Sequence, residues 1–170
     1  MLKMKKRHFP WLEVLIGLSA CSLLWLLGYP QYEEKASIAK RYQVRVNMYT
    51  LAAAIENYAA YNSGHFPTQV ADFAEFFTPP INPYTHKPIG KDEIKIFQYD
   101  SRDESRDKSV DSKNGRLHGA PGTLAYGYFI SPADTFPSAY GIVGFGQDGM
   151  PLADRLPSGE VELFILHESD

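Results

Sequence analysis

A long apolar run near the N-terminus constrains this chain more than any other part of its sequence. Residues 9–29 carry one charge, on Glu13, and follow a basic segment, residues 3–7, that holds four Lys or Arg side chains. As a helix with about 1.5 Å rise per residue, the run is roughly 31 Å long, the thickness of a bilayer core. The basic flank predicts a cytoplasmic leader and a chain that crosses the membrane. The alternative is a buried core helix.

Glu13 requires an explanation, because a charge at the centre of a bilayer costs roughly 3 kcal/mol. It lies only four residues into the run. Pro10 suits the first turn of a helix, and a carboxylate in that turn meets the positive end of the helix dipole. On one interpretation Glu13 is therefore tolerated near the lipid headgroups. On the other interpretation, Glu13 pairs with a positively charged group of another chain. Residue chemistry alone leaves both interpretations open.

The N-terminal spacing resembles that of type IV prepilins and type II secretion pseudopilins. A basic leader precedes Phe9, Glu13 follows four residues later, and Pro30, which begins Pro-Gln-Tyr, stands 21 residues after Phe9. The resemblance implies that a prepilin peptidase cuts before Phe9 and methylates the new α-amine. It also implies that Glu13 engages the amine of a neighbouring subunit. The implied partners are other pilin-like subunits and an inner-membrane assembly platform.

His8 departs from this family, which places Gly, sometimes Ala, just before the cut. Without a cut, Glu13 has no amine partner, and the alternative is an unprocessed membrane-anchored module with a pilin-like extracytoplasmic domain. A further alternative is a lipoprotein, because Leu18-Ser19-Ala20-Cys21 matches a lipobox in which Cys21 becomes lipidated. Otherwise Cys21, the only cysteine, is a small buried hydrophobe.

The helical pattern continues beyond the apolar run. An apolar stripe with three- and four-residue steps predicts a helix that reaches Asn62, with a bend or local melting at Pro30. The stretch YAAYNSGHFPT, residues 58–68, again resembles the end of the pseudopilin helix. The predicted organisation is a basic cytoplasmic leader at 1–8, a transmembrane half of the helix at 9–29, a periplasmic half at 30–62 and a globular pilin-like domain at 63–170.

The C-terminal part of the chain predicts a sheet. Segments rich in aromatic and β-branched residues predict strands at 94–99, 123–130, 139–145 and 160–166. Their short gaps favour an antiparallel meander. The polar, mixed-charge segment 101–117 predicts a mobile loop, with a partner-binding insertion as the alternative. The expected fold class is α+β and pilin-like, a long N-terminal transmembrane α-helix packed on a four-stranded antiparallel sheet.

Charge and motifs narrow the classes of function. Without the four leader cations and Glu13, the chain has 13 basic and 19 acidic residues, a balance that opposes nucleic-acid binding. The histidines lack metal-ligand spacing, and no nucleophile or phosphate-binding motif is present, so we expect neither an enzyme nor a cofactor. Asp148 and Asp154 lie in a Gly-rich loop and are weak candidates for calcium ligands. The Asp-Gly pair at 148–149 is more typical of a hairpin turn.

The resemblance implies a structural function. The protein would be a subunit or minor component of a type IV pilus or of a type II secretion pseudopilus. Its N-terminal helix would pack against neighbouring helices through Leu12, Leu15, Ile16 and Leu23. The implied location is the inner membrane, crossed once, with the C-terminal domain in the periplasm or outside the cell.

Overall fold

The computed structural model describes residues 11–107 and 117–167 of the 170-residue chain. For residues 12, 13, 26–28, 30 and 106 it describes the backbone alone. The chain divides into two compact units, an N-terminal unit, Met1–Ile38, and a C-terminal unit, Ala39–Asp170. Helix α1, Trp11–Tyr61, contributes residues to both units.

The C-terminal unit combines the end of α1 with short helices and a sheet, so the chain is an α+β protein. One four-stranded sheet has the strand order β1-β2-β3-β6, and a separate two-stranded ribbon pairs β4 with β5. In the described ranges the elements that follow α1 are α2 Val70–Phe73, a 3-10 turn Lys91–Glu93, β1 Ile94–Gln98, α3 Arg102–Arg106, β2 Leu124–Phe129, β3 Ala139–Gly144, β4 Ala153–Arg155, β5 Val161–Leu163 and β6 Ile165–His167.

Helix α1 packs one apolar stripe on one face of the four-stranded sheet. Three- and four-residue steps place successive apolar side chains on the same side of a helix. Val44, Met48 and Leu51 are fully buried, and they share a core cluster with Tyr126 of β2 and Ile142 of β3. The core of the C-terminal unit therefore lies between α1 and this sheet face.

Glycines let the sheet approach its neighbours on both faces. A Cβ atom at Gly144 would lie 2.6 Å from Val44 Cγ1, so the bare backbone of β3 makes room for α1. On the opposite face Gly127 and Gly141 are cross-strand partners. A Cβ atom at Gly141 would lie 2.8 Å from the backbone oxygen of Ser105 in α3. Helices therefore cover both faces of the sheet.

The prediction of an antiparallel meander is wrong for its first strand pair. Strands β1 and β2 run parallel, with Ile94 opposite Leu124, whereas β2–β3 and β3–β6 are antiparallel. The segment 101–117, interpreted from its polarity as a mobile loop, contains helix α3. Because parallel strands need a crossover of about a dozen residues or more, this connection is long enough to return the chain to the starting end of the sheet.

The segment predicted as one strand at 160–166 forms two short strands in different sheets. Strand β5 pairs with β4, and after Phe164 strand β6 pairs with β3. The amide of Phe164 donates a hydrogen bond to the Leu152 carbonyl at 2.7 Å, at the point where the chain changes sheets. The observed sheet is therefore mixed and is accompanied by a ribbon that the sequence pattern did not predict.

The predicted transmembrane half of the helix is wrong for the described part of the chain. Within the described ranges no helix is long and apolar enough to cross a membrane. Among the described side chains from Val14 to Trp25, Ser19 and Ser22 interrupt the apolar run and lower its hydropathy. The same finding overturns the single-pass membrane location that was predicted from residues 9–29.

Candidate functional site

The N-terminal unit presents large apolar side chains on the surface of helix α1. Leu18, Leu23 and Leu24 have exposed fractions of 64%, 62% and 72%, although Leu belongs to the residue types most often buried in folded proteins. We call residues 11–29 of α1 the apolar helix. Its exposed large side chains are Trp11, Val14, Leu15, Ile16, Leu18, Leu23, Leu24, Trp25 and Tyr29.

These side chains surround the helix axis. With about 100° of rotation per residue, Leu18, Leu23 and Leu24 lie on three different sides of α1. An amphipathic surface helix has one apolar stripe, whereas a helix that is apolar all round belongs in the interior of a larger structure. The described apolar side chains of this part of α1 therefore do not form the single stripe of an amphipathic surface helix.

One ridge of the apolar helix is aromatic and ends at a carboxylate. The rings of Trp25 and Tyr29 stack with centroids 5.1 Å apart and an interplanar angle of 26°. Glu33 lies one turn further along, and its hydrogen bond with the phenol, followed by its negative charge, raises the pKa of Tyr29. The four-residue steps place all three side chains on one side of the helix, where they mark its polar end.

The residues predicted to act in processing and assembly are placed only in part. His8 and Phe9 lie outside the described residues. Glu13 lies in the first turn of α1, and the helix continues through Pro30, although nothing is described of either side chain. Cys21 is exposed on α1. Of the predicted helix contacts, Leu15, Ile16 and Leu23 are exposed by 64%, 60% and 62%.

Asp148 and Asp154, the calcium candidates, each have a partner within the protein. Asp148 Oδ1 accepts a hydrogen bond from the Met150 amide at 3.0 Å. Asp154 forms an ion pair with the Arg45 guanidinium. No group of three or more His, Cys, Asp or Glu side chains is placed to hold a metal ion in the described ranges. The structure therefore uses one carboxylate in a turn and the other in an ion pair.

Sequence reasoning missed the cluster around Arg45. The Arg45 guanidinium carbon lies 4.3 Å from the centroid of the Phe164 ring, and Arg41 donates a hydrogen bond to the Ala153 carbonyl. These contacts tie α1 to the β4–β5 ribbon. Arg45 and Asp154 stand 109 residues apart, and no sequence pattern links them. The cluster is a structural contact within the C-terminal unit.

Comparison with known proteins gives no family for this chain. No family model matches it, no curated protein matches it and no solved structure matches it.

Proposed function

We propose that the protein is a structural subunit, or a minor component, of a filament of the type IV pilus or type II secretion pseudopilus kind. It joins the filament through its N-terminal helix. Processing before Phe9 supplies a free amine, and Glu13 of one subunit pairs with the amine of a neighbour. The prepilin peptidase and an assembly platform act on the chain before it is incorporated.

The apolar helix carries this proposal. Its leucines are exposed on three sides in the single chain, so several neighbours are needed to cover them. Burial is worth about 25 cal/mol per Å² of apolar surface, which makes association of these helices favourable. A bundle of identical helices, as in a filament core, provides such neighbours on every side.

The position of Glu13 supports pairing between subunits. Glu13 is the acidic residue of the apolar run and lies in the first turn of α1. A carboxylate that is buried in a helix bundle needs a positive partner, because an unpaired buried charge costs several kcal/mol. The processed amine at Phe9 lies four residues away in sequence and supplies that charge on each neighbouring chain.

The first test is the N-terminus of the protein isolated from its native cells, by intact mass and N-terminal sequencing. We expect a chain that begins at a methylated Phe9. A chain that begins at Met1 would leave Glu13 without its amine and would contradict the proposed assembly. A lipidated chain that begins at Cys21 would contradict it as well.

The second test removes the carboxylate. We expect Glu13→Ala to abolish incorporation into filaments, because the amine of the neighbour is left buried and unpaired. Incorporation is measured by immunoblot of sheared filaments against total cellular protein. The matched control is Glu34→Ala, which removes an exposed carboxylate from the same helix and should assemble normally. Normal assembly of the Glu13 variant would refute its assigned role.

A further inference from the structure

A groove of about 510 Å³ lies at the C-terminal end of α1, within the C-terminal unit. Tyr58, Tyr61 and Asn62 line it from the helix end, and Phe66 and Phe136 line it from two connecting segments. A smaller depression of about 330 Å³ adjoins it. The two share His65, Phe136 and neighbouring residues, and we call them together the aromatic groove.

Aromatic ring faces are available in the aromatic groove. Phe136 is 52% exposed although its ring stacks on His65 with centroids 4.2 Å apart. Tyr61 is 79% exposed and stacks on Phe76 with centroids 5.4 Å apart. In each pair one ring is held in place by its neighbour, so the groove presents fixed ring faces. Such faces carry negative charge density and attract cations.

The formal charges at the aromatic groove are negative. Asp72 lines the larger part and Asp134 the smaller part, and neither set of lining residues contains Lys or Arg. Asp72 accepts hydrogen bonds from the amides of Thr68 and Gln69 at 3.0 and 3.1 Å. This charge disfavours phosphates and other anions and favours a positive ligand.

The C-terminal end of α1 adds to the negative electrostatic potential at the aromatic groove. A helix C-terminus carries about half a negative charge from its unpaired carbonyl groups, and cations are favourable there. The last turn of α1 contains no basic residue to neutralise it. The Tyr58 carbonyl accepts a hydrogen bond from the Asn62 side chain at 2.8 Å and the Ala59 carbonyl accepts one from the Gly64 amide at 2.8 Å, and neither donor carries a formal positive charge.

We propose that the aromatic groove is a binding site for an organic cation, with an alkylammonium or guanidinium group held against the rings of Phe136 and Tyr61. The carboxylates of Asp72 and Asp134 and the helix end balance its charge. The site lies in the C-terminal unit and is independent of the filament function proposed above. Its failure would leave that function untouched.

The test uses full-length protein and choline as the alkylammonium probe, with arginine amide as the guanidinium probe. Binding is measured by the ring-current shift of the probe protons in NMR titrations to about 10 mM, the range of weak single-site affinities. The uncharged control is 3,3-dimethylbutan-1-ol, which has the shape of choline without its charge. We expect a shift with at least one cation and a much smaller shift with the alcohol.

Conservative variants assign the binding to the groove. We expect Phe136→Leu, which keeps apolar volume but removes the ring, and Asp134→Asn, which removes only the charge, each to weaken binding about three- to tenfold. Tyr42→Leu removes an exposed ring elsewhere on α1 and should bind as the parent does. Circular dichroism shows that each variant is folded.

Three results would overturn the proposal. The first is no shift with either cation at the highest concentration. The second is equal binding of choline and the uncharged alcohol, which would make the groove an apolar site without charge selectivity. The third is unchanged binding in both groove variants while they remain folded, because the cation would then bind elsewhere on the chain.

Discussion

At the scale of single residues, buried phenols set the response of the C-terminal unit to pH. Tyr126 is fully buried, and its hydroxyl donates a hydrogen bond to the Pro67 carbonyl at 2.9 Å. Burial, followed by the charges that Tyr140 and Tyr128 would carry, raises the pKa of Tyr126 above the ordinary value of 10.0. Burial, followed by the charge of Glu104, likewise raises the pKa of Tyr99. Both phenols are therefore neutral in the folded protein.

This arrangement predicts a loss of stability in alkali. Because the folded-state pKa lies above the unfolded value, the unfolded phenol ionises first as the pH rises. The stabilisation is complete below about pH 10 and is lost above it, by about 1.4 kcal/mol per pH unit for each buried phenol. Urea unfolding at about pH 8 to pH 12 measures it. In Tyr126→Phe the unfolding free energy should fall less steeply with pH, by about 1.4 kcal/mol per pH unit, because one buried phenol is missing. In the exposed control Tyr42→Phe the slope should be unchanged. Equal slopes in all three proteins would contradict the assignment.

At the scale of secondary-structure elements, the distance between α1 and the sheet depends on a missing side chain in β3. Gly144 faces the α1 stripe, where a Cβ atom would lie 2.6 Å from Val44 Cγ1 and 2.9 Å from Met48 Sδ. Met48 is fully buried, so neither contact can be relieved by swinging a side chain into solvent. Any residue larger than glycine must push the helix away from the sheet.

We expect Gly144→Ala to lower the free energy of unfolding of the C-terminal unit by about 1–3 kcal/mol, the usual cost of overpacking. Urea unfolding followed by circular dichroism measures the change. Gly17→Ala is the matched control, because its Cβ meets no atom within 4 Å. Since Val44→Ala removes the clashing methyl group, the double variant should be less destabilised than the sum of the two single variants. Additive effects would show that Val44 is not the obstacle.

Element positions could be predicted from the sequence better than strand directions. The apolar stripe predicted a helix that reaches Asn62, and α1 ends at Tyr61. A strand was predicted at 139–145, and β3 covers Ala139–Gly144. These signals are local, because side-chain periodicity and turn residues act over a few positions. The direction of β1 relative to β2 depends on the path of the whole connection between them, which no local pattern encodes.

The candidate sites also differ in whether a local sequence signal reveals them. Glu13 could be singled out from the sequence because one charge within an apolar run is visible without a structure. The aromatic groove could not, because it combines the end of α1 with Phe136, which lies more than 70 residues later in the chain. Its one local signal is the aromatic content of residues 58–68, and that stretch was interpreted as a helix end alone.

At the scale of the whole molecule, the two units bury their apolar side chains in different ways. Every buried apolar side chain of the described core lies at Val44 or later in the sequence. The N-terminal unit, by contrast, exposes Leu18 and Leu24 by 64% and 72%. The C-terminal unit therefore has a buried apolar core of its own, and the described side chains of the N-terminal unit contribute none to it.

We expect the full chain to self-associate and a fragment of residues 39–170 to remain a folded monomer. The fragment keeps every buried core residue, so its unfolding free energy should match that of the C-terminal unit in the full chain. Sedimentation velocity and urea unfolding measure the two properties. In the full chain, Leu18→Gln with Leu24→Gln should weaken association, whereas Tyr42→Gln with Val161→Gln, also on exposed positions, should not. Association of the fragment, or its failure to fold, would contradict this division.

The packing of α1 on the sheet also fixes an order of events during synthesis. Met48 leaves the ribosome roughly 80 residues before its partner Tyr126, a delay of about 4–16 s at ordinary translation rates. During that time the apolar stripe of α1 has no sheet to cover it. The core side chains of α1 therefore stay in contact with water until β2 and β3 have been made.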